Sequence, residues 1–217
     1  MAWGVLSIIG IVAFAISGAI VAMEEEYDIL GVYILGIVTA FGGGAIRNLL
    51  IGLPVSALWS QGKMFTIALV SITIVFLFPK LLLKHWSTWG NFSDAIGLAA
   101  FAIQGALFAV QRELPLSAVI VAAILTGSGG GIVRDLLAGR KPLVLKAEIY
   151  AVWAALGGLF VGLGLAQGEL ALYLLFVILV VCRVCSYLFK WRLPARSYFF
   201  LIKGKTKKGD SALFFCV

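Results

Sequence analysis

Two short motifs place residues that are unusual for an apolar segment at a fixed spacing. Three consecutive glycines are followed three residues later by an arginine, at residues 42–47 and again at 129–134. Glycine costs ~1 kcal/mol of helix stability relative to alanine, and it lets a backbone bend or approach a neighbour closely. One alternative is tight helix packing of the small-xxx-small kind. The recurrence favours a kink or break at each triplet: Gly42, Gly43, Gly44, Gly129, Gly130 and Gly131.

Charged and polar residues follow each triplet within one helical turn. Arg47 precedes Asn48, and Arg134 precedes Asp135 at the matching positions of the second motif. Charge at membrane depth marks a functional site by default, so we expect these residues to hold or gate the broken helices. The alternative is that the arginine side chains reach out to the lipid headgroups, and it is strongest for Arg47.

Uncharged polar residues in the apolar segments form a third group. A hydroxyl or amide at this depth can replace part of the hydration shell of a cation along a pore. It can equally hydrogen-bond to another helix, which is worth ~0.6 kcal/mol on average. The sequence leaves both interpretations open for the pore-lining candidates Ser17, Thr39, Gln104, Thr126 and Ser128.

The elements that carry these residues are predicted to be membrane helices. Of the 217 residues, 62% are hydrophobic and 12% are charged, whereas soluble chains are about half apolar and a quarter charged. This composition excludes a soluble globular enzyme, a disordered chain and a disulfide-rich secreted module. At ~20 residues per span, we predict seven spans, near residues 3–23, 29–46, 64–83, 93–111, 114–133, 147–167 and 170–189.

The net charge of +7 is interpreted as a record of membrane orientation rather than of nucleic-acid binding. Basic residues lie at the ends of apolar runs and in the tail after Pro194. With the N-terminus outside, thirteen of them face inward and three face outward, as the positive-inside rule requires. We therefore predict a multi-pass plasma-membrane protein with a cytoplasmic C-terminus. The acidic run at 24–26 is either an anionic pore mouth or a solvated loop.

No residue pattern indicates catalysis, a metal centre or a cofactor. His85 is the only histidine, and neither an HExxH nor a GxSxG motif is present. Cys182 and Cys185 have CxxC spacing but no further ligand nearby in sequence, so small buried side chains are the simpler interpretation. We predict that the protein is not an enzyme, with no catalytic residue, metal or cofactor.

The chain repeats itself at an offset of 87 residues. The segment 14–19, Phe-Ala-Ile-Ser-Gly-Ala, recurs at 101–106 as Phe-Ala-Ile-Gln-Gly-Ala, and both glycine triplets and arginines keep the same offset. Three spans per unit is an odd number, so the second unit must be inverted in the membrane. The predicted fold class is an all-α membrane protein with two inverted three-helix repeats and a seventh helix. Its predicted units are residues 1–86, 87–168, 169–193 and a basic tail at 194–217.

With these features together, the chain resembles a bacterial member of the trimeric intracellular cation (TRIC) channel family. The resemblance rests on the two Gly-Gly-Gly-x-x-Arg motifs within the duplication and covers residues from about 3 to 190. It implies a homotrimer in the lipid bilayer, with a pore for monovalent cations in each subunit beside helices two and five. The resemblance implies potassium as the foremost ion, with sodium as a further candidate. The chain departs from the family pattern at Asn48, where aspartate is usual.

A second function class stays open at this point. Inverted repeats with interrupted helices also suit a secondary transporter of a small solute such as glycine, because alternating access uses the same architecture. The modules resemble those of a bacterial family that some schemes label as glycine transporters.

Overall fold

The computed structural model describes residues 2–58, 60–78, 86–145 and 149–191, and these fold into α-helices joined by short turns. The predicted tail at 194–217 and His85 lie outside the described residues. Two single-turn 3₁₀ helices, Val55–Leu58 and Leu143–Leu145, follow the second and fifth α-helices. The seven α-helices are α1 Ala2–Glu24, α2 Ile29–Leu50, α3 Gly62–Leu77, α4 Trp86–Val110, α5 Leu116–Leu137, α6 Ala151–Gly162 and α7 Gly168–Leu188.

Helix length divides these seven into two groups. Helices α1, α2, α4, α5 and α7 are long and apolar enough to cross a membrane, whereas α3 and α6 have 16 and 12 residues. At ~1.5 Å per residue, the two shorter helices extend about 24 and 18 Å. They are the third helix of each repeat, so the two repeats share this feature. The predicted all-α fold with seven helices is confirmed.

The ends of the helices repeat with the 87-residue offset. After α2, Gly52 adopts a φ of 71°, and the amide of Leu53 donates to the carbonyl of Asn48 at 2.8 Å. After α5, Gly139 has a φ of 68°, and the backbone amide of Arg140 donates to the carbonyl of Asp135, also at 2.8 Å. A positive-φ glycine followed by this long-reach hydrogen bond is the Schellman end of a helix. The two helices therefore end through the same local signal in the two repeats.

Helices α1 and α4 form an antiparallel pair whose contacts are reciprocal. A Cβ on Gly10 would meet the ring of Phe101 at 2.8 Å, and a Cβ on Gly97 would meet the ring of Phe14. These four residues are repeat equivalents in pairs, so each contact is the image of the other. Such reciprocity is the mark of a two-fold axis. Here the axis relates two halves of one chain.

Helices α2 and α5 cross with their backbones in direct contact. A Cβ on Gly43 would overlap the carbonyl oxygen of Thr126, and a Cβ on Gly130 would overlap that of Thr39. Only glycine allows this approach, because any side chain at either position would require one backbone to move. The central glycine of each triplet thus marks the crossing point.

The remaining helices cover this central group of four symmetrically. Helix α3 packs on α1 and α2, α6 packs on α4 and α5, and α7 adds to the second half through α4 and α6. One buried apolar cluster lies mainly in the first repeat and a second mainly in the second repeat.

Of the kink or break expected at each glycine triplet, the break is not found. Both α2 and α5 continue as α-helix through their triplets and past Arg47 and Arg134. The predicted ends at residues 46 and 133 were also four residues too early. A glycine triplet favours bending and close packing alike. In this protein the neighbouring helix uses the missing side chains for contact, as in the small-xxx-small alternative.

The crossing predicts different effects for alanine substitutions within one triplet. Gly43→Ala should lower stability by roughly 1–3 kcal/mol, because the added methyl group overlaps a backbone carbonyl. At Gly42 and Gly44 an added Cβ has 3.7 and 3.6 Å to its nearest neighbours. Gly42→Ala and Gly44→Ala should therefore leave stability unchanged or raise it slightly. Thermal unfolding of the purified variants in detergent measures this, and equal midpoints for all three would contradict the crossing.

Candidate functional site

Arg134 is the centre of a buried ionic cluster at one end of the helix bundle. Its Nη1 donates to Asp94 Oδ1 at 2.7 Å and to Ser17 Oγ at 2.6 Å. Its Nε donates to Asp135 Oδ1 at 2.9 Å, and the second oxygen of Asp135 accepts from the amide of Leu143 at 2.9 Å. The cluster joins α1, α4, α5 and the following loop, and it holds two carboxylates against one guanidinium.

Two polar atoms next to this cluster are fully enclosed. Asp94 Oδ2 and Tyr150 Oη have no hydrogen-bond partner among the described residues. Arg183 of α7 covers one face of the Tyr150 ring, with its guanidinium carbon 4.7 Å from the ring centroid. Arg183 is 1% exposed. At this burial the guanidinium does not reach the membrane interface.

A cavity of about 170 Å³ lies against the Arg134 cluster, and we call it the Arg134 cavity. It is bounded by Ser17, Asp94, Arg134 and Asp135 in its buried part and by Glu24 and Lys141 toward the surface. The cavity therefore leads from exposed residues to the buried arginine and its two carboxylates. Its lining as a whole includes three acidic and three basic side chains.

The surface beside this cavity is held by an ionic contact between the two repeats. Arg140 contacts Glu25, and its Nη1 lies 2.7 Å from Glu24 Oε2. Partial burial lowers the pKa of Arg140, but the bonds to both glutamates outweigh this effect, so its pKa lies above the ordinary value. Two of the three glutamates at 24–26 are thus paired rather than free to form an anionic mouth.

Arg47 occupies the equivalent position at the opposite end of the bundle in a different setting. Its Nε and Nη2 both donate to Asn48 Oδ1, at 3.1 and 2.8 Å. Its guanidinium carbon lies 3.7 Å from the ring centroid of Phe108, a cation–π contact. The side chain is 5% exposed, so it does not extend toward lipid headgroups. Among the described residues no carboxylate pairs with it.

A second and larger cavity, of about 490 Å³, lies beside Arg47, and we call it the Arg47 cavity. Its lining includes Ser7, Gln104 and Thr126 in its inner part and Lys63 at its exposed edge. Gln104 Nε2 donates to Ser7 Oγ at 2.7 Å. Because Ser7 and Gln104 are the repeat equivalents of Asp94 and Ser17, the two cavities are related by the same internal two-fold axis as the helices.

The residues between the two cavities are apolar and closely packed. Along α1, Ile11 lines the Arg47 cavity, Ser17 lines the Arg134 cavity, and Phe14 between them is fully buried. The Phe14 ring contacts the Gly97 and Gly130 positions on α4 and α5. It also meets the ring of Phe101 edge-on, with centroids 5.2 Å apart. An aromatic pair therefore separates the two cavities.

The predicted polar candidates divide according to these cavities. Ser17 lines the Arg134 cavity, and Gln104 and Thr126 line the Arg47 cavity. Thr39 and Ser128 line neither of the two, and their hydroxyls donate to carbonyls one turn back in their own helices, Leu35 and Ile124, both at 2.6 Å. These two hydroxyls are satisfied within the helix.

The remaining candidates belong to the helix crossing and the clusters. Arg47, Asn48, Arg134 and Asp135 form the two arginine sites described above. Among the glycines, Gly44 lines the Arg47 cavity, and a Cβ on Gly131 would lie 3.4 Å from Asp94 Oδ1. A Cβ on Gly129 would lie 3.1 Å from the Cα of Gly43, at the crossing.

Sequence reasoning missed the roles of Asp94, Phe14 and Phe108. Asp94 was visible as a charge at a span entrance, and its repeat equivalent, Ser7, gave no signal because a serine is common in membrane helices. Phe14 and Phe108 are two of 15 phenylalanines in apolar runs. Their importance depends on which helices meet there.

The Arg134 cluster predicts a large cost for removing one of its charges. Asp94→Asn should lower stability by roughly 3–5 kcal/mol, because the substitution breaks a buried ion pair and disturbs its network. Arg140→Gln, a half-buried surface pair at the same end, should cost about 0–1 kcal/mol. Thermal unfolding in detergent compares the two. A cost for Asp94→Asn no larger than that for Arg140→Gln would contradict the cluster's structural role.

Comparison with known proteins supports the geometry of two related modules. A family model described as "Glycine transporter" matches residues 4–80 and 91–166. The UPF0126 membrane protein YvgT of Bacillus subtilis is 81% identical over 198 residues, which is 91% of this chain and 98% of YvgT. These matches, together with the helices above, identify a multi-pass membrane protein.

Solved structures give the same fold. The TRIC channel orthologue from Rhodobacter sphaeroides matches with a TM-score of 0.80 and 32% identity, over 87% of this chain and 98% of that one. A prokaryotic TRIC channel crystallised in 0.5 M KCl matches with a TM-score of 0.80 and 33% identity, over 88% and 98%. Relatives of this kind point to a channel or transporter rather than an enzyme. The chain belongs to the family described as "Glycine transporter" and is a member of the TRIC channel family.

Proposed function

We propose that the protein is a channel for monovalent cations, with potassium as its main ion and sodium as the second. The observation that carries this proposal is the pair of symmetry-related cavities, which extend from opposite ends of the bundle toward Phe14 and Phe101. Similarity to solved TRIC cation channels at 32–33% identity supports the same function. The carboxylates of Asp94 and Asp135 line the Arg134 cavity and offer oxygen ligands to a cation on the path.

In this proposal the ion path lies within each subunit, between α1, α2, α4 and α5. An ion enters the Arg134 cavity past Glu24, passes Ser17, crosses the level of the aromatic pair and leaves past Gln104. Hydroxyl, amide and carboxylate oxygens along these steps replace part of the hydration shell. The glycine crossing of α2 and α5 supports the path as a rigid wall rather than as an opening in a broken helix.

The aromatic pair is the proposed barrier. Phe14 and Phe101 are apolar and fill the space between the cavities, and a hydrophobic constriction of this kind closes a pore by excluding water. In this proposal the closed ring pair makes the conformation non-conducting. Conduction requires the two rings to separate, through movement of α1 relative to α4.

The assembly and orientation are also part of the proposal. The resemblance to trimeric channels supports a homotrimer with one pore per subunit. The distribution of basic residues supports a plasma-membrane location with the N-terminus outside and the Arg134 cavity facing the cytoplasm. Cross-linking of the purified protein tests the trimer.

A transporter of a small solute such as glycine is the second candidate. It is favoured by one observation, the closed centre between two cavities, because alternating access needs a barrier that moves from one side to the other. The "Glycine transporter" description of the matching family belongs to the same hypothesis.

Planar bilayers separate the two functions. We expect purified protein under a potassium gradient to give discrete single-channel current steps, because a channel passes many ions per opening. Protein-free bilayers and the heat-denatured protein are the controls. An absence of current steps, with saturable uptake of labelled glycine into proteoliposomes, would reject the channel in favour of the transporter.

The barrier makes a separate prediction. Phe101→Ala should raise the open probability or the unitary conductance several-fold, because it removes one of the two rings that exclude water. Phe160→Ala is the matched control, since Phe160 is an exposed phenylalanine on α6 and should not affect current. Equal currents for Phe101→Ala and the wild type, with both proteins folded, would show that the ring pair is not the barrier.

A further inference from the structure

Arg47 is a buried cation without a counter-ion among the described residues. Its polar contacts there are the two hydrogen bonds to Asn48 Oδ1, and one face of its guanidinium lies on Phe108. Neither contact carries a negative charge. Burying an ionised group without a paired opposite charge is unfavourable. A negatively charged group beside Arg47 would therefore stabilise it.

The second repeat shows which groups pair with the equivalent arginine. There, Arg134 binds the carboxylates of Asp94 and Asp135. The residues at the equivalent positions around Arg47 are Ser7 and Asn48, which are both neutral. The same fold thus holds an arginine with two carboxylates at one end and an arginine with none at the other.

Space is available where the carboxylates are missing. The Arg47 cavity, with about 490 Å³, falls in the range of roughly 300–1,000 Å³ that is typical of small-molecule sites. Its described lining contains Arg47 and Lys63 but no acidic residue. Neutral donors are also present, and aromatic rings from Trp3, Phe41 and Phe108 form part of the wall. An apolar cavity with a few convergent cationic groups suits a small anion.

We propose that the Arg47 cavity binds a small oxyanion of the carboxylate class. Arg47 holds the oxygens of this anion as Arg134 holds those of Asp94 and Asp135, and Lys63 attracts the anion at the cavity edge. Guanidinium and carboxylate form strong charge-assisted hydrogen bonds. A zwitterion such as glycine is disfavoured relative to acetate, because the described lining offers no carboxylate to its ammonium group.

The bound anion has a consequence for conduction, which rests on the proposed function. An uncompensated Arg47 beside the path repels cations, and an anion that neutralises it lowers this barrier. The anion therefore acts as a removable part of the cation path. Binding itself does not depend on conduction, so the two hypotheses can fail separately.

Acetate binding to the purified protein, in a phospholipid-free detergent and at constant ionic strength, tests the site. We expect the wild type to bind acetate saturably. Ligand-detected NMR and the rise of the unfolding midpoint measure this binding. Arg47→Gln should weaken this binding about tenfold or more, since it removes a charged hydrogen-bond donor. Arg112→Gln, which removes an exposed arginine near the same end of the bundle, should bind acetate as the wild type does.

Asn48→Asp is the decisive variant, because it supplies the carboxylate from within the chain. This variant should fold with a raised unfolding midpoint. It should also lose acetate affinity by about the same factor as Arg47→Gln, since Arg47 is then already paired with a carboxylate. Wild-type acetate affinity in folded Arg47→Gln or Asn48→Asp would overturn the proposal, as would an absence of saturable binding by the wild type.

A lipid headgroup could supply the same oxyanion chemistry, and a second arm separates the sources. If the ligand is a free carboxylate, the protein should bind acetate with the same affinity in phosphatidylglycerol nanodiscs as in phosphatidylcholine nanodiscs. Competition by phosphatidylglycerol in the wild type, together with loss of direct phosphatidylglycerol binding in Arg47→Gln, would support the oxyanion site with a lipid phosphate as its source. Competition in the wild type with direct phosphatidylglycerol binding that Arg47→Gln leaves unchanged would count against the site.

Discussion

The backbone contact between α2 and α5 is the constraint on which the rest of the structure depends. Gly43 and Gly130 each leave room for a carbonyl of the other helix, so the two helices cross without side chains between them. The crossing directs the last turns of α2 and α5 to opposite ends of the bundle. Arg47 and Arg134 lie on those turns, and the two cavities therefore open at opposite ends with the closest packing at the centre.

The internal symmetry extends to the backbone and the cavities but not to the charges. Arg134 binds two carboxylates and the Ser17 hydroxyl and so ties three helices together, whereas Arg47 rests on an amide and an aromatic ring. Two substitutions between equivalent positions, Ser7 for Asp94 and Asn48 for Asp135, account for this difference. The proposed ion path is therefore electrostatically asymmetric, although its walls are related by the internal two-fold axis.

Much of the fold could be predicted because duplication leaves a direct signal. A constant offset of 87 residues and an odd number of spans are sufficient for inverted repeats, and the arginine motifs did mark the two sites. The break considered at each glycine triplet is not found, and the sequence could not choose between bending and close contact, because a missing side chain permits both equally. Only the carbonyl of Thr126 at the Gly43 position decides between them. The position of Phe14 between the two cavities was not predictable, since one phenylalanine in an apolar run resembles every other.

We propose that the two cavities reach Phe14 from opposite sides of the membrane. Sided cysteine labelling tests it most directly, with the native cysteines replaced by serine and Gln104→Cys or Ser17→Cys introduced singly. A membrane-impermeant cationic thiol reagent is applied to one face of oriented vesicles. We predict that Gln104→Cys reacts much faster from the outside and Ser17→Cys much faster from the inside. Reaction of both from the same side, or of neither from either side, would contradict the account.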